Sequence, residues 1–260
     1  MRAAFLLVTL GILAGTTHAG ETRFFESDGL RLRYVIDGRG DTVVLLHGFS
    51  GSAEGLYVNP GTFDALVAAG YRVVALDQRG HGMSDKRYEA SDYGLNMVED
   101  VRRLLDHLEV DRVHLVGYSM GARVSSGFLV AYPERLLTIT LGGFGWPWES
   151  RVTTTQEALA ALSEATVLPG NDLRALAAVR AGGSGDVLTP GAQVLRENDV
   201  PALAIIGDRD EVVPPGKFDS LAETMANLVT VVISGTHAGP DGAPYKPIFA
   251  EKLIEFLARH

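Results

Sequence analysis

Apolar residues along the chain fall into short runs that alternate between two periods. Thr22–Ser27 and Arg31–Ile36 read as short strands, and Asp28-Gly29 between them is a hairpin turn signal. Thr42–Leu46 and Tyr71–Leu76 are continuous apolar runs, as expected for strands buried on both faces. Between them Phe63–Ala69 reads as a short helix ended by Gly70. Leu95, Val98, Val101, Leu105 and Leu108 recur at helical spacing, so a helix is expected from about Tyr93 to Leu108, N-capped by Asp92. Arg112–Val116 is a strand, Met120–Ala131 a helix stopped before Pro133, and Leu136–Leu141 a strand. The rhythm then breaks. From Gly142 to about Asp199 there are two helical stretches, Thr155–Ala165 and Leu173–Ala181, followed by Gly182-Gly183-Ser184-Gly185. After Pro201 the alternation returns with a strand at Ala202–Ile206, a helix at Lys217–Met225, a strand at Val229–Ile233 and a helix at Pro247–Ala258.

Strands alternating with helices place the chain in the α/β class, with a mostly parallel eight-stranded sheet flanked by helices. The helical insert at about 142–199 is too small for a core of its own, so a cap lying on the main domain is expected. Residues 20–260 then form one domain.

Composition agrees with a globular chain: 46% of the 260 residues are hydrophobic and 21% charged. The thirty glycines follow no collagen-like period, so tight turns account for the excess. A net charge of −9 argues against sequence-independent nucleic-acid binding. With no cysteine there is no disulfide, no thiolate metal site and no cysteine nucleophile.

Residues 1–19 have the composition of an export leader. Arg2 supplies the positive charge, Ala3–Ala14 the apolar stretch, and Thr17-His18-Ala19 the small residues that cleavage favours. The apolar stretch is short for a spanning helix, which needs ~20 residues. The expectation is a secreted or periplasmic protein with no stable membrane insertion after cleavage.

The chemistry lies in four loops. Gly117-Tyr118-Ser119-Met120-Gly121 is G-x-S-x-G, set between an expected strand and an expected helix. A nucleophile elbow turns so sharply that bulky side chains two positions from the serine would clash. His47-Gly48-Phe49 follows the strand Thr42–Leu46 and would complete an oxyanion hole, with the amides of Phe49 and Met120 as donors. Both donors are backbone groups, so side-chain identity there is expected to matter little. His47 itself is read as structural. Gly207-Asp208-Arg209-Asp210 follows the strand Ala202–Ile206 and offers two candidate carboxylates to orient a catalytic histidine. Gly235-Thr236-His237-Ala238-Gly239 follows the last strand, and His237 is the expected general base. The chain order serine, aspartate, histidine is that of α/β-hydrolases.

With these motifs in place, the chain from roughly Phe24 to Leu257 resembles the α/β-hydrolase fold family, of the serine hydrolase or esterase type with a small cap. Asp77-Gln78-Arg79-Gly80-His81-Gly82-Met83-Ser84 is similar to the D-x-R-G-x-G-x-S loop of many members, which is structural there, so His81 is not taken as catalytic. The family's acid sits in a G-x-x-D turn, and the resemblance therefore implies Asp210, with Gly207, over Asp208. It also implies a cap over the pocket. Thr236 departs from the glycine common before the family's histidine, but threonine is small too. Dehalogenases and epoxide hydrolases of this fold use an aspartate nucleophile, where this elbow carries Ser119, and Gly142–Asp199 lacks the cap tyrosines of epoxide hydrolases.

The resemblance implies that His237, oriented by Asp210, deprotonates Ser119 for attack on the acyl carbon of a small carboxylic ester. Tyr118, Phe144, Trp146, Trp148 and Val212 lie beside the four loops or at the entry to the cap, and are expected to make the pocket largely apolar. Neither a phosphate loop nor a histidine metal motif appears, so no cofactor and no metal are expected. The rival readings are a small-ligand sensor on the same scaffold, an acyltransferase or perhydrolase using the same triad, and a lipase acting at an interface. A long amphipathic lid helix, which would favour the lipase, is absent from the sequence pattern.

Overall fold

The structure is a computed structural model and describes residues 20–148, 153–183 and 188–260. The expected leader at 1–19 lies outside the described residues, as do Ser184 and Gly185 of the expected turn.

Eight strands form one sheet: β1 (Glu21–Ser27), β2 (Leu30–Gly38), β3 (Thr42–Leu46), β4 (Arg72–Leu76), β5 (Val113–Tyr118), β6 (Leu136–Gly142), β7 (Ala202–Gly207) and β8 (Leu228–Ile233). Their spatial order is β1-β2-β4-β3-β5-β6-β7-β8. The β1–β2 hairpin and the β2–β4 pair are antiparallel, and every other pairing is parallel.

Alternate residues of each central strand enter opposite layers. Val44 and Leu46 of β3 pack with Leu115 of β5 towards α2 (Leu95–His107) and α3 (Met120–Ala131). Val43 and Leu45 pack with Val116 towards α1 (Thr62–Ala68) and α8 (Pro247–Leu257). Burial on both faces explains why these strands read as unbroken apolar runs. Each fully buried Val or Leu contributes about 1.5–3 kcal/mol relative to exposure. At the far edge β8 leaves Val229 and Val232 exposed, while α7 (Pro215–Thr224) buries Phe218 and Leu221 against the core.

The N-terminus of α2 differs from the expectation. The helix starts at Leu95, and Asp92 ends a separate short turn, Ala90–Asp92, instead of capping it. The cause is Gly94, whose backbone at φ 63° and ψ −119° is strongly disfavoured for residues with a side chain and is not helical. Leu95 is consequently exposed, and the buried face begins at Met97 and Val98. That face also carries Asp100, paired with Arg79 in the interior.

Between β6 and β7 lies a helical cap. Its members are α4 (Thr155–Ala161), α5 (Leu173–Gly182) and α6 (Ala192–Arg196). Thr154 and Glu157 form a reciprocal capping box on α4, and Asp172 caps α5 through the Ala175 amide at 2.9 Å. α4 is shorter than expected, and α6 was not anticipated. At five residues α6 is too short for an apolar period to show. α4 and α5 bury Ala158, Leu162, Leu176 and Ala177 against each other. Among the described residues no helix is long and apolar enough to cross a membrane.

Candidate active site

The strand order reverses at β3. The chain leaves β3 for β4 on one side and later returns to β5 on the other. In open α/β sheets this switch opens a crevice at the carboxyl ends of the strands, where ligands bind. The loops after β3 and β5 both emerge there.

Ser119 lies between β5 and α3 with φ 52° and ψ −113°, a conformation unfavourable for any side-chain-bearing residue. The flanking glycines make it attainable. A Cβ on Gly117 would lie 2.3 Å from the Gly121 carbonyl oxygen, and one on Gly121 would lie 2.1 Å from the Leu46 carbonyl oxygen. The turn therefore holds the serine hydroxyl out at the end of the sheet.

His237 reaches it from the loop after β8. Its Nε2 is 2.9 Å from Ser119 Oγ, and its Nδ1 is 2.8 Å from Asp210 Oδ2. An aspartate carboxylate only accepts, so Nδ1–H donates to it and Nε2 is left to accept from the serine hydroxyl. The other oxygen, Asp210 Oδ1, accepts from the amides of Val212 and Val213, each at 2.9 Å. These bonds fix the carboxylate before the histidine meets it. Main-chain contacts hold the histidine loop. The His237 amide donates to Glu211 Oε2 at 3.2 Å, and the Tyr118 hydroxyl donates to the His237 carbonyl at 2.7 Å.

Asp208 has another position. Its side chain is half exposed and accepts from the Gly235 amide at 2.9 Å. That bond chiefly holds its carboxyl below the usual carboxylate range. Asp208 thus anchors the start of the histidine loop, while Asp210 meets the ring.

In the loop after β3, Gly48 O accepts from His47 Nδ1 at 2.7 Å and from the Gly51 amide at 3.1 Å. His47 Nε2 in turn accepts from the Gln78 amide at 3.1 Å, which fixes the Nδ1–H tautomer. A trans peptide holds its N–H antiparallel to its C=O, so the Phe49 N–H faces the opposite way from these donors. Neither the Phe49 nor the Met120 amide has an acceptor among the described residues. Met120 is the first residue of α3, where amides have no partner in their own helix. His47 is therefore a buried structural residue. His81 is also fully buried, 5.0 Å from His47 between ring centroids, and does not meet Ser119.

A cavity of about 970 Å³ opens over Ser119 and His237. Tyr118, Trp148 and Val212 line it as expected. Phe144 and Trp146 do not, which corrects their expected place in the pocket. Phe144 is buried behind Trp148 with the rings stacked at 6.2 Å, and the Trp146 indole N–H is drawn away to the Pro190 carbonyl at 2.8 Å. Leu56, Met97, Val179, Leu188, Pro244 and Tyr245 complete much of the apolar wall. Met97 and Val179 come from helices that nothing in the sequence pattern places at the pocket. Arg123, Glu157 and Arg180 bring charge to the same cavity. The Arg123 guanidinium lies 5.5 Å from the Trp148 ring centre, and its Nη2 donates to the Gly183 carbonyl at 2.6 Å. No cluster of three or more His, Asp or Glu that could hold a metal occurs among the described residues.

The sequence matches the family model for the α/β-hydrolase fold over residues 41–162. It is 37% identical over 134 residues to the 2-hydroxy-6-oxononadienedioate/2-hydroxy-6-oxononatrienedioate hydrolase of Escherichia coli K12, covering 50% of this chain and 46% of that one. It is also 37% identical over 131 residues to the dihydrolipoyllysine-residue acetyltransferase component of the acetoin cleaving system of Cupriavidus necator, covering 49% of this chain and 34% of that protein. The chain thus spans less than half the length of these curated relatives. Among solved structures, an epoxide hydrolase from Vigna radiata superposes with a TM-score of 0.79 at 21% identity, covering 95% of this chain and 100% of that one. Sheet order, elbow and these likenesses agree: the chain has the α/β-hydrolase fold.

Proposed function

We propose that the protein is a serine hydrolase that cleaves a small carboxylic ester through an acyl-enzyme intermediate. The observation that carries this reading is the continuous hydrogen-bonded line from Asp210 Oδ2 through the His237 ring to Ser119 Oγ. His237 takes the serine proton as Ser119 Oγ attacks the acyl carbon, and Asp210 stabilises the imidazolium that forms. The Phe49 and Met120 amides receive the developing oxyanion. His237 then protonates the leaving alcohol and activates the water that releases the acid. The largely apolar cavity suits an acyl or alkyl group of modest size. Export under the expected leader would place this reaction outside the cytoplasm, and N-terminal sequencing of the protein recovered from its source tests that, with a start at Gly20 expected.

Hydrolysis of p-nitrophenyl esters of increasing acyl length, beside a Ser119→Ala control, tests the reaction. Turnover should fall by several orders of magnitude in the control. Near-wild-type turnover in the control would rule the triad out.

A second reading keeps the same nucleophile with a keto acid as substrate. The Escherichia coli relative is named for a dienedioate bearing a ketone, and Arg123 and Arg180 bring positive charge to this cavity. Faster turnover of a 2-hydroxy-6-oxodienoate than of any simple ester would favour it.

A further inference from the structure

Phe49 is held from two sides. Its peptide lies beside Ser119, whereas its side chain packs on the cap, against the cluster of Ala158, Leu162, Leu176 and Ala177 from α4 and α5. The next residue, Ser50, has φ 58°, which side-chain-bearing residues adopt only under constraint. The constraint is visible: the Ser50 carbonyl accepts from Asn171 Nδ2 at 2.7 Å. Asn171 Oδ1 accepts from the Gly82 amide at 2.9 Å. One end of this side chain must donate and the other accept, which an amide can do and a carboxylate cannot. Asn171 directly precedes Asp172, the cap of α5. The start of α5 is therefore fastened to the loop that carries the Phe49 amide.

The far end of α5 is fastened to the other half of the site. Arg123 of α3 donates to the Gly183 carbonyl just beyond α5. The first residue of α3 is Met120, which carries the second amide. One cap helix thus spans the two segments that carry the candidate oxyanion donors.

We propose that α5 is a brace that sets the Phe49 amide against the Met120 amide, with Asn171 and the Phe49 side chain as positioning residues. The cap then governs oxyanion stabilisation as well as entry to the pocket. The proposal rests on the serine-hydrolase reading above. Removing one oxyanion donor outright costs about 10²–10³ in kcat, so a displaced donor should cost part of that.

The test uses the full chain with p-nitrophenyl butyrate and the variants Asn171→Asp, Phe49→Ala and Phe49→Leu. Asn171→Asp keeps an acceptor for Gly82 and replaces the donor to Ser50 with a carboxylate oxygen, which repels the Ser50 carbonyl. It should lower kcat about tenfold and leave KM within about twofold. Inhibition by an alkyl trifluoromethyl ketone, whose adduct with Ser119 carries an oxyanion, should weaken by the same factor. Inhibition by the matching neutral alcohol should not change. Phe49→Leu should recover most of the kcat lost in Phe49→Ala. Should Asn171→Asp fail to fold, the Phe49 pair carries the same comparison. A raised KM with kcat intact, or unchanged affinity for the ketone, would overturn the brace. Wild-type turnover that survives Ser119→Ala would instead overturn the nucleophile reading, whatever the Asn171 and Phe49 variants do.

Discussion

Two aspartates in one turn do different work. Asp210 has both carboxylate oxygens committed, one to two amides and one to His237, while Asp208 faces solvent and holds the Gly235 amide. Asp210→Asn should reduce kcat on p-nitrophenyl butyrate by roughly 10³–10⁴-fold, because an amide nitrogen facing Nδ1 forces the wrong tautomer. Asp208→Asn keeps an acceptor for Gly235 and should stay within about threefold of wild type. Equal losses in the two variants would contradict these roles. The distinction was only half legible in the sequence. Spacing offered both aspartates, and family likeness, not residue chemistry, favoured Asp210. Glu211 was passed over because its role depends on a main-chain amide 26 residues away. The sequence gives Phe49 a role through its amide, and the seat of its side chain on the cap is invisible without the fold.

At the scale of elements, the elbow depends on the close approach of strand and helix. Gly121 lies so near the Leu46 carbonyl that a methyl group there would overlap it. Gly121→Ala should therefore destabilise the fold by about 3 kcal/mol, read as a lower urea midpoint with an unchanged slope. A midpoint within error of wild type would show that α3 can shift without cost. Seven strands were legible because burial on one or both faces writes itself into the residue pattern, and the largely exposed β8 through its run of β-branched residues. The start of α2 was misplaced because its apolar period runs on through Leu95, whereas Gly94 decides where helical backbone can begin. Phe144 and Trp146 were misassigned for a related reason. Nearness in sequence to the site says nothing of which way a ring turns, and here Trp148 takes the inner position.

At the scale of the whole molecule, two buried histidines lie beneath the loop after β3. Burial pushes His81 from an ordinary value of 6.5 down to about 3, with His47 adding to the shift. Burial also lowers His47, although Asp77 offsets part of that. A histidine depressed in the folded state binds its proton only in the unfolded chain between the two values. Unfolding therefore takes up protons below about pH 6.5, and stability falls as pH drops through that window. His81 contributes about 1.4 kcal/mol per pH unit across that window. Urea midpoints from pH 7.5 to 5.5 should fall more steeply for wild type than for His81→Asn, and parallel curves would contradict the buried neutral state.

The central claim is that this fold brings Ser119, His237 and Asp210 together as one nucleophilic unit. Its most direct test is covalent. The protein is treated with diethyl p-nitrophenyl phosphate, released p-nitrophenolate is counted, and the modified peptide is identified by mass spectrometry. The account predicts one equivalent released and one diethylphosphoryl group on Ser119, with none on Ser119→Ala and far slower labelling of His237→Ala. Labelling at another residue, or labelling that survives Ser119→Ala, would contradict it.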